Sequence, residues 1–341
     1  MRKVTIKDVA EHAGVSVGTA SKVMNDKGYV SKAAHDAVMK ATLELGYSVN
    51  ANARSLKTSK SNKIAVLTSD ISNPYLMSIA KEVEEMIRSL DSHMVLLSHN
   101  DNPETERSSL NIIIEQQVDA LVIIPTGQNG DLIEKIKNTN TPVIAIDREV
   151  DEVETDLIVD DNFFGSYESI KYLHSLGHEN IGVIYGHEKN SIGRDRLYGA
   201  MEAIKDGNIN DDPSFLHEAD FREDLAYRAV IELLMQPVPP TAIYCCNNTM
   251  TKGVLKALKD QEIRIPEDIS LIAFGDKEQW ELIEPSLTLM TQPMKRIGIE
   301  ASILLKSRLK FAEDYPLQQK VMKPSFIEGA SCISIKNSEI F

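Results

Sequence analysis

Cysteine is scarce in this chain of 341 residues, with three in all, and tryptophan is scarcer, with one. Cys245 and Cys246 are adjacent and Cys332 stands alone. An odd count without Cys-x-x-Cys or Cys/His ligand spacing argues against a disulfide framework and a zinc site, and predicts reduced thiols. Long apolar runs are missing too. Nothing approaches the roughly 20 residues that cross a bilayer, and no apolar segment follows Met1-Arg-Lys. The expectation is a cytoplasmic protein with no membrane partner. A Gly-rich phosphate loop and a His-Glu-x-x-His zinc motif are also absent. His187-Glu188 reads as a solvated loop pair. Asp160-Asp161 and Asp211-Asp212 are neighbours in sequence whose side chains point apart, not a hard-metal site. No catalytic residue, metal or cofactor is expected, and the chain reads as a non-enzyme.

What is present is an ordinary globular composition, 42% hydrophobic, with a lopsided charge. Residues 1–60 hold ten Lys or Arg against five Asp or Glu, a net of +5, while the whole chain stands at −14, leaving −19 on the remainder. A basic head on an acidic body concentrates phosphate affinity at one end. Within that head, Ile6, Val9, Ala10, Ala13, Val15, Ala20 and Val23 follow the burial pattern of two short helices joined at Gly14, a helix-turn-helix. Ala10 is small where the helices cross, Gly14 suits the left-handed turn, and Ser16 caps the second helix. Val17, Gly18, Ser21 and Lys22 are then the side chains left to face a major groove. A third helix follows Ser31, with Ala34, Val38, Ala41 and Leu45 inward and Gly46 as its stop. Residues 50–57 carry enough pattern for two helical turns, too few to stand alone in water, and residues 58–62 read as a linker.

Beyond the linker the pattern changes to short buried strands alternating with helices. Residues 64–68, 94–97, 120–124 and 143–146 form one set; 181–185, a run near 216–219, 242–245 and 269–274 form a second. Two parallel sheets sandwiched by helices are expected. Ligands in such folds sit at the carboxyl ends of the strands. The polar residues just past each run are Asp70, Asn73, Asp147, Arg148, Asp161, Arg194, Arg196, Asn247 and Asp276. Planar carboxylate, amide and guanidinium groups hold vicinal hydroxyls in pairs, and Tyr75 and Phe221 are placed to cover an apolar sugar face.

The helix-turn-helix, Gly46-Tyr47, Asn50-Ala-Asn-Ala-Arg-Ser-Leu56 and Asp70-Ile-Ser-Asn-Pro-Tyr75, in that order, resemble the lactose-repressor (LacI/GalR) family of transcription regulators over essentially the whole chain. The resemblance implies a lambda-repressor-like all-α head in residues 1–60, with a hinge helix at about 50–57. It also implies a two-lobed α/β, periplasmic-binding-protein-like domain in residues 61–341. The lobes would comprise 61–161 plus 293–322 and 162–291 plus 324–341, crossing near Asn162, Gln292 and Lys323. The operator-contacting set becomes Thr5, Ser16, Val17, Gly18, Thr19, Ser21, Lys22, Asn25, Ser31, Tyr47, Asn50, Ala53 and Leu56, with Leu56 as a minor-groove wedge. For the effector, Arg196 matches the family's clamping arginine, Asn247 its sugar-contacting polar residue, Phe221 its stacking aromatic, and Asp161 a partner to an effector-site arginine. Gln292 joins Asn73, Tyr75, Asp147, Arg148, Arg194 and Asp276 in that site.

The implied function is a homodimeric repressor on a pseudo-palindromic operator in double-stranded DNA, controlled by a small molecule, a sugar or sugar derivative. The alternatives are control by a protein co-repressor, as in carbon-catabolite regulation, and, in another class, a solute-binding protein. Several residues depart from the family pattern. Lys22 replaces the usual Arg, Ala20 the usual Val, and Gly18 offers no side chain to a base edge. Gly275 stands where a ligand-contacting carboxylate is usual, and Asn248 where an aspartate is common.

Overall fold

The computed structural model describes residues 4–25, 28–47, 60–311 and 316–336. The chain divides between Asn62 and Lys63 into two compact units. Among its described residues the first holds three helices, α1 (Ile6–His12), α2 (Val17–Met24) and α3 (Lys32–Glu44). Val9, Ala10, Ala20, Val23, Val38 and Ala41 are its buried core, and Ile6, Ala13, Val15 and Leu45 pack against them. Gly14 and Gly46 take positive φ, +65 and +60, where a Cβ would be strained, so each turn needs its glycine. Thr5 donates its backbone N–H to Asp8 at 2.7 Å to open α1. Ser16 Oγ accepts from the Thr19 N–H at 3.1 Å to open α2, and Ser31 begins α3 in the same way.

The second unit contains twelve strands among its described residues: β1 (Lys63–Thr68), β2 (His93–Ser98), β3 (Ala120–Ile123), β4 (Val143–Ile146), β5 (Asp156–Asp160), β6 (Ile181–Tyr185), β7 (Leu216–Glu218), β8 (Ala242–Cys245), β9 (Ser270–Gly275), β10 (Thr288–Thr291), β11 (Gln319–Met322) and β12 (Ser325–Ile327). They form two six-stranded sheets, ordered β11-β5-β4-β3-β1-β2 and β12-β10-β9-β8-β6-β7. All pairings are parallel except β10 with β12. The chain passes from one sheet to the other after Asp160, after Thr291 and after Met322.

Strand residues alternate between two cores because helices cover both faces of the first sheet. Ile64, Val66, Ile144 and Ile146 meet the helices Pro74–Ser89 and Met294–Lys310, whereas Ala65, Leu67, Val143 and Ala145 meet Pro103–Gln116 and Gly130–Lys137. The other lobe has one continuous core running from Ile170 to Met290, with Tyr244 and Phe274 fully buried at its centre. At the far edge of the first sheet, Arg308 grips Asp156 with two donors, Nε at 2.6 Å and Nη2 at 2.8 Å. Asp156 also accepts the N–H of Gln318 at 2.8 Å, so this buried pair sets where β11 joins.

Candidate functional site

In the first unit, Val17, Gly18, Ser21 and Lys22, read from the sequence as groove-facing, all lie on α2. Val17, Gly18 and Lys22 are exposed, while Ala20 and Val23 are buried behind them. Thr19 is half-buried with its hydroxyl 2.9 Å from Ser16 Oγ. Asn25 ends the helix and turns its Nδ2 onto the Ser21 carbonyl at 2.7 Å. The string Gly14-Val-Ser-Val-Gly18 has the Gly-x-Ser-x-Gly form of a nucleophile elbow. Here it follows a helix instead of a strand, and Ser16 is spent as an N-cap. Asn50, Ala53 and Leu56, with the rest of the hinge reading, lie outside the described residues.

In the second unit the carboxyl ends of the two sheets carry the polar candidates, and most have defined tasks. Asn73, Asp161, Asn247 and Asp276 each accept the backbone N–H that opens a helix, from Tyr75, Phe164, Met250 and Glu278. Tyr75 is not an open stacking face. It is buried, and its hydroxyl donates to Asp147 at 3.2 Å and to Asp160 at 3.0 Å. Gln292, between the lobes, donates to the same Asp160 oxygen. Burial, and after it the Asp147 carboxylate, push Asp160 up to about 6. Asp147 is also raised, first by burial.

Arg196 is buried among these groups. Its Nε donates to Asn162 Oδ1 at 2.8 Å, its Nη1 to the Cys246 carbonyl, and its guanidinium lies 3.8 Å over the Phe274 ring. Asp161, expected as the arginine's partner, caps the helix Asn162–Ser175 instead, and its neighbours on either side, Asp160 and Asn162, face the cluster. Asp160 is the last residue of β5, a strand the sequence reading did not include, and Asp161 is the N-cap that follows it. Arg148 is paired with Asp101; against the cost of burial, it holds Asp101 below the usual carboxylate range, with smaller help from His99 and His187. Arg194 is half-exposed beside Asp195 at 3.7 Å. Phe221, at φ +57, lays its ring over Gly186, where a Cβ would come within 2.1 Å of it. His187 meets that ring edge-on, with centroids 5.4 Å apart. The buried thiols of Cys245 and Cys246 are pushed up to about 11 and about 12, which leaves them neutral and unreactive.

Some site residues carried no sequence signal strong enough to find them: Asp160, Asn162, His99, Asp101 and His187. All lie at or within a few residues of a strand end, so a wider window would have included them. Five buried side-chain atoms at these strand ends have no hydrogen-bond partner among the described residues: Thr68 Oγ1, His99 Nδ1, Arg148 Nε, Asp160 Oδ1 and His187 Nδ1. Such atoms are rare in folded proteins because each carries a desolvation cost. These five stand at the carboxyl ends of strands in both sheets, apart from His174 Nδ1 and Gln279 Oε1, the other two such atoms among the described residues.

A family model described as bacterial regulatory proteins, lacI family, matches residues 5–50, and one described as a periplasmic binding protein-like domain matches residues 170–332. The HTH-type transcriptional repressor PurR of Pasteurella multocida is 32% identical over 306 residues, 89% of this chain and 92% of its own length. The protein of the same name from Haemophilus influenzae is 32% identical over 311 residues, 91% of this chain and 92% of its own. Among solved structures, the lac repressor dimer bound to operator and an anti-inducer superposes with a TM-score of 0.79 at 24% identity, covering 97% of this chain and all of that one. A LacI family regulator from Enterococcus faecium with bound ribose has a TM-score of 0.73 at 25% identity, covering 80% and 100%. The chain belongs to the lacI family of bacterial regulatory proteins. It is a DNA-binding transcriptional repressor, built as the helix-turn-helix and two-lobed α/β fold that its sequence predicted. The solute-binding alternative falls with that assignment.

Proposed function

We propose that this repressor acts as a homodimer on a pseudo-palindromic operator in the bacterial cytoplasm. A sugar or sugar derivative, bound between the two lobes, controls its affinity for the operator. The row of unpartnered buried atoms at the strand ends, on Thr68, His99, Arg148, Asp160 and His187, carries this reading. A ligand seated there reaches both sheets at once, since Asp160 belongs to the first lobe and Arg196 and His187 to the second. Binding then favours one relative position of the lobes over another, which is the differential affinity that a switch needs. The helix-turn-helix supplies the output, with Val17, Ser21 and Lys22 towards the major groove and Leu56, from the family resemblance, as the wedge. The relatives bear the names of repressors, and we read the chain as a regulator and not an enzyme.

Arg196→Ala tests the crevice. The variant should bind operator DNA normally in a gel-shift assay yet lose its response to any sugar that shifts the parent. A variant that still responds would place the effector elsewhere.

A further inference from the structure

Gly275 and Asn248, the two departures in the effector lobe, meet in space. Gly275 ends β9, and Asn248 begins the helix Asn248–Asp260. A Cβ built on Gly275 would lie 1.9 Å from Asn248 Oδ1 and 2.8 Å from its Cγ, whereas real Cβ contacts essentially never fall under 3.0 Å. Gly275 is not among the residues with positive φ, so its lack of a side chain provides space and not an unusual backbone angle. Asn248 uses that space. Its Oδ1 accepts from the Trp280 indole N–H at 2.8 Å and from the Asp276 N–H at 3.1 Å.

With both lone pairs of Oδ1 engaged by N–H groups, the amide can only be oriented with Nδ2 outward. Nδ2 donates to no group among the described residues, and it is not among the buried atoms without a partner, so its two N–H groups are open. The Asp276 carboxylate uses its Oδ1 to cap the short helix Lys277–Trp280, accepting from the Glu278 N–H at 2.9 Å. Asn248 therefore presents donors here, not an acceptor. Arg196, which holds the Cys246 carbonyl two residues before Asn248, adds positive charge to the same turn.

We propose that Asn248 and Gly275 form a specificity pair that converts this corner from an acceptor of ligand hydroxyls into a donor. The effector then presents a carbonyl-type oxygen here, from a carboxylate or an acylamide. Asn248 offers a ligand hydroxyl a donor for its oxygen but no free acceptor for its proton, whereas a carbonyl oxygen needs only the donor. Asp147 and Asp160, on the opposite lobe, remain as acceptors for hydroxyls. The matching ligand is a polyhydroxylated molecule with one carbonyl-bearing end, a sugar acid or an N-acylated sugar. This inference rests on the crevice being the effector site.

Calorimetry on the full chain with D-glucuronate, D-gluconate, N-acetyl-D-glucosamine and D-glucose tests it. At least one acid or N-acetyl probe should bind about tenfold or more tightly than glucose, and which of them does so separates carboxylate from acylamide. Asn248→Asp keeps the two bonds to Oδ1 and should remove that preference. Glucose binding as well as the other probes, an unchanged preference in Asn248→Asp, or no binding by any probe would each overturn the inference. Arg196→Ala separates this from the underlying reading. If a probe's binding is lost in that variant, the crevice stands whatever the preference; if it persists, the crevice reading itself fails. A ligand-free arm addresses the pair directly. Gly275→Ala should lower the melting temperature by several degrees in the parent and by much less in an Asn248→Ala background, and equal losses in the two would refute the steric coupling.

Discussion

Arg196 and Asn162 are joined by a hydrogen bond of 2.8 Å, from Nε to Oδ1, at the point where the chain has just crossed from the first lobe to the second. Both residues are almost fully buried. The asparagine fixes the guanidinium, whose charge partly offsets the burial that raises Asp147 and Asp160. Asn162→Ala leaves the Nε proton without a partner and should cost about 1–3 kcal/mol of stability. Effector binding should weaken with it. Urea denaturation measures the first effect and calorimetry the second; an unchanged urea midpoint would show that the bond contributes nothing.

Asp160 titrates out of the ordinary range, and the sign of its effect on stability follows. Burial first, then Asp147, raise its pKa from 3.8 to about 6 in the folded chain. The folded state therefore holds this proton more tightly than the unfolded state does. The stability so provided is complete below about pH 3.8 and is lost as the pH rises through about 6. Asp160→Asn is neutral throughout and can still accept from Tyr75 and Gln292. It should exceed the parent in stability at pH 7 by on the order of 1–3 kcal/mol, with the difference shrinking towards pH 4. A gap that does not change with pH would contradict this.

Arg308 and Asp156 are both buried, and breaking such a pair leaves an uncompensated charge. Asp156→Ala should destabilise the body by about 3–5 kcal/mol and loosen the junction of β11 with β5. Replacing both partners with apolar residues should cost clearly less. Thermal unfolding of the two variants side by side distinguishes a stranded charge from a merely lost contact.

The head allows a separate test. Ser16→Ala removes the acceptor for the Thr19 N–H and should cost about 1 kcal/mol of helix stability. Operator affinity should fall with it because α2 carries the exposed residues Val17, Gly18 and Lys22. Normal operator binding by the variant would show that DNA itself holds the helix in place.

The head was nearly complete in the sequence because its helices are short and its core contacts are close along the chain. Val9, Ala10, Ala20, Val23, Val38 and Ala41 follow from periodicity, and Gly14 and Gly46 from turn chemistry. The alternating strands were legible for a related reason. A parallel sheet covered on both faces requires continuous apolar runs, and such runs stand out.

The crevice was less legible. A polar residue after a strand can serve as a helix cap or face a ligand, and sequence does not separate the two. Asn73, Asp161, Asn247 and Asp276 all proved to be caps. Tyr75 had the right residue type for a stacking face, but the packing of the helix Pro74–Ser89 turns its hydroxyl onto two carboxylates.

Local spacing and turn chemistry were enough to determine the class of fold, the helix-turn-helix and the two α/β sheets, since those signals lie within a few residues of one another. The tertiary structure alone decided that Asp160 and not Asp161 faces Arg196, and that Gly275 is empty because Asn248 fills its space. Both depend on residues 27 or more positions apart, 248 with 275 and 160 with 196. Asp160 closes β5 and is buried with Tyr75 and Gln292, whereas Asp161 is taken up by the N–H of Phe164 at the start of the next helix, so packing and capping decide which carboxylate enters the site.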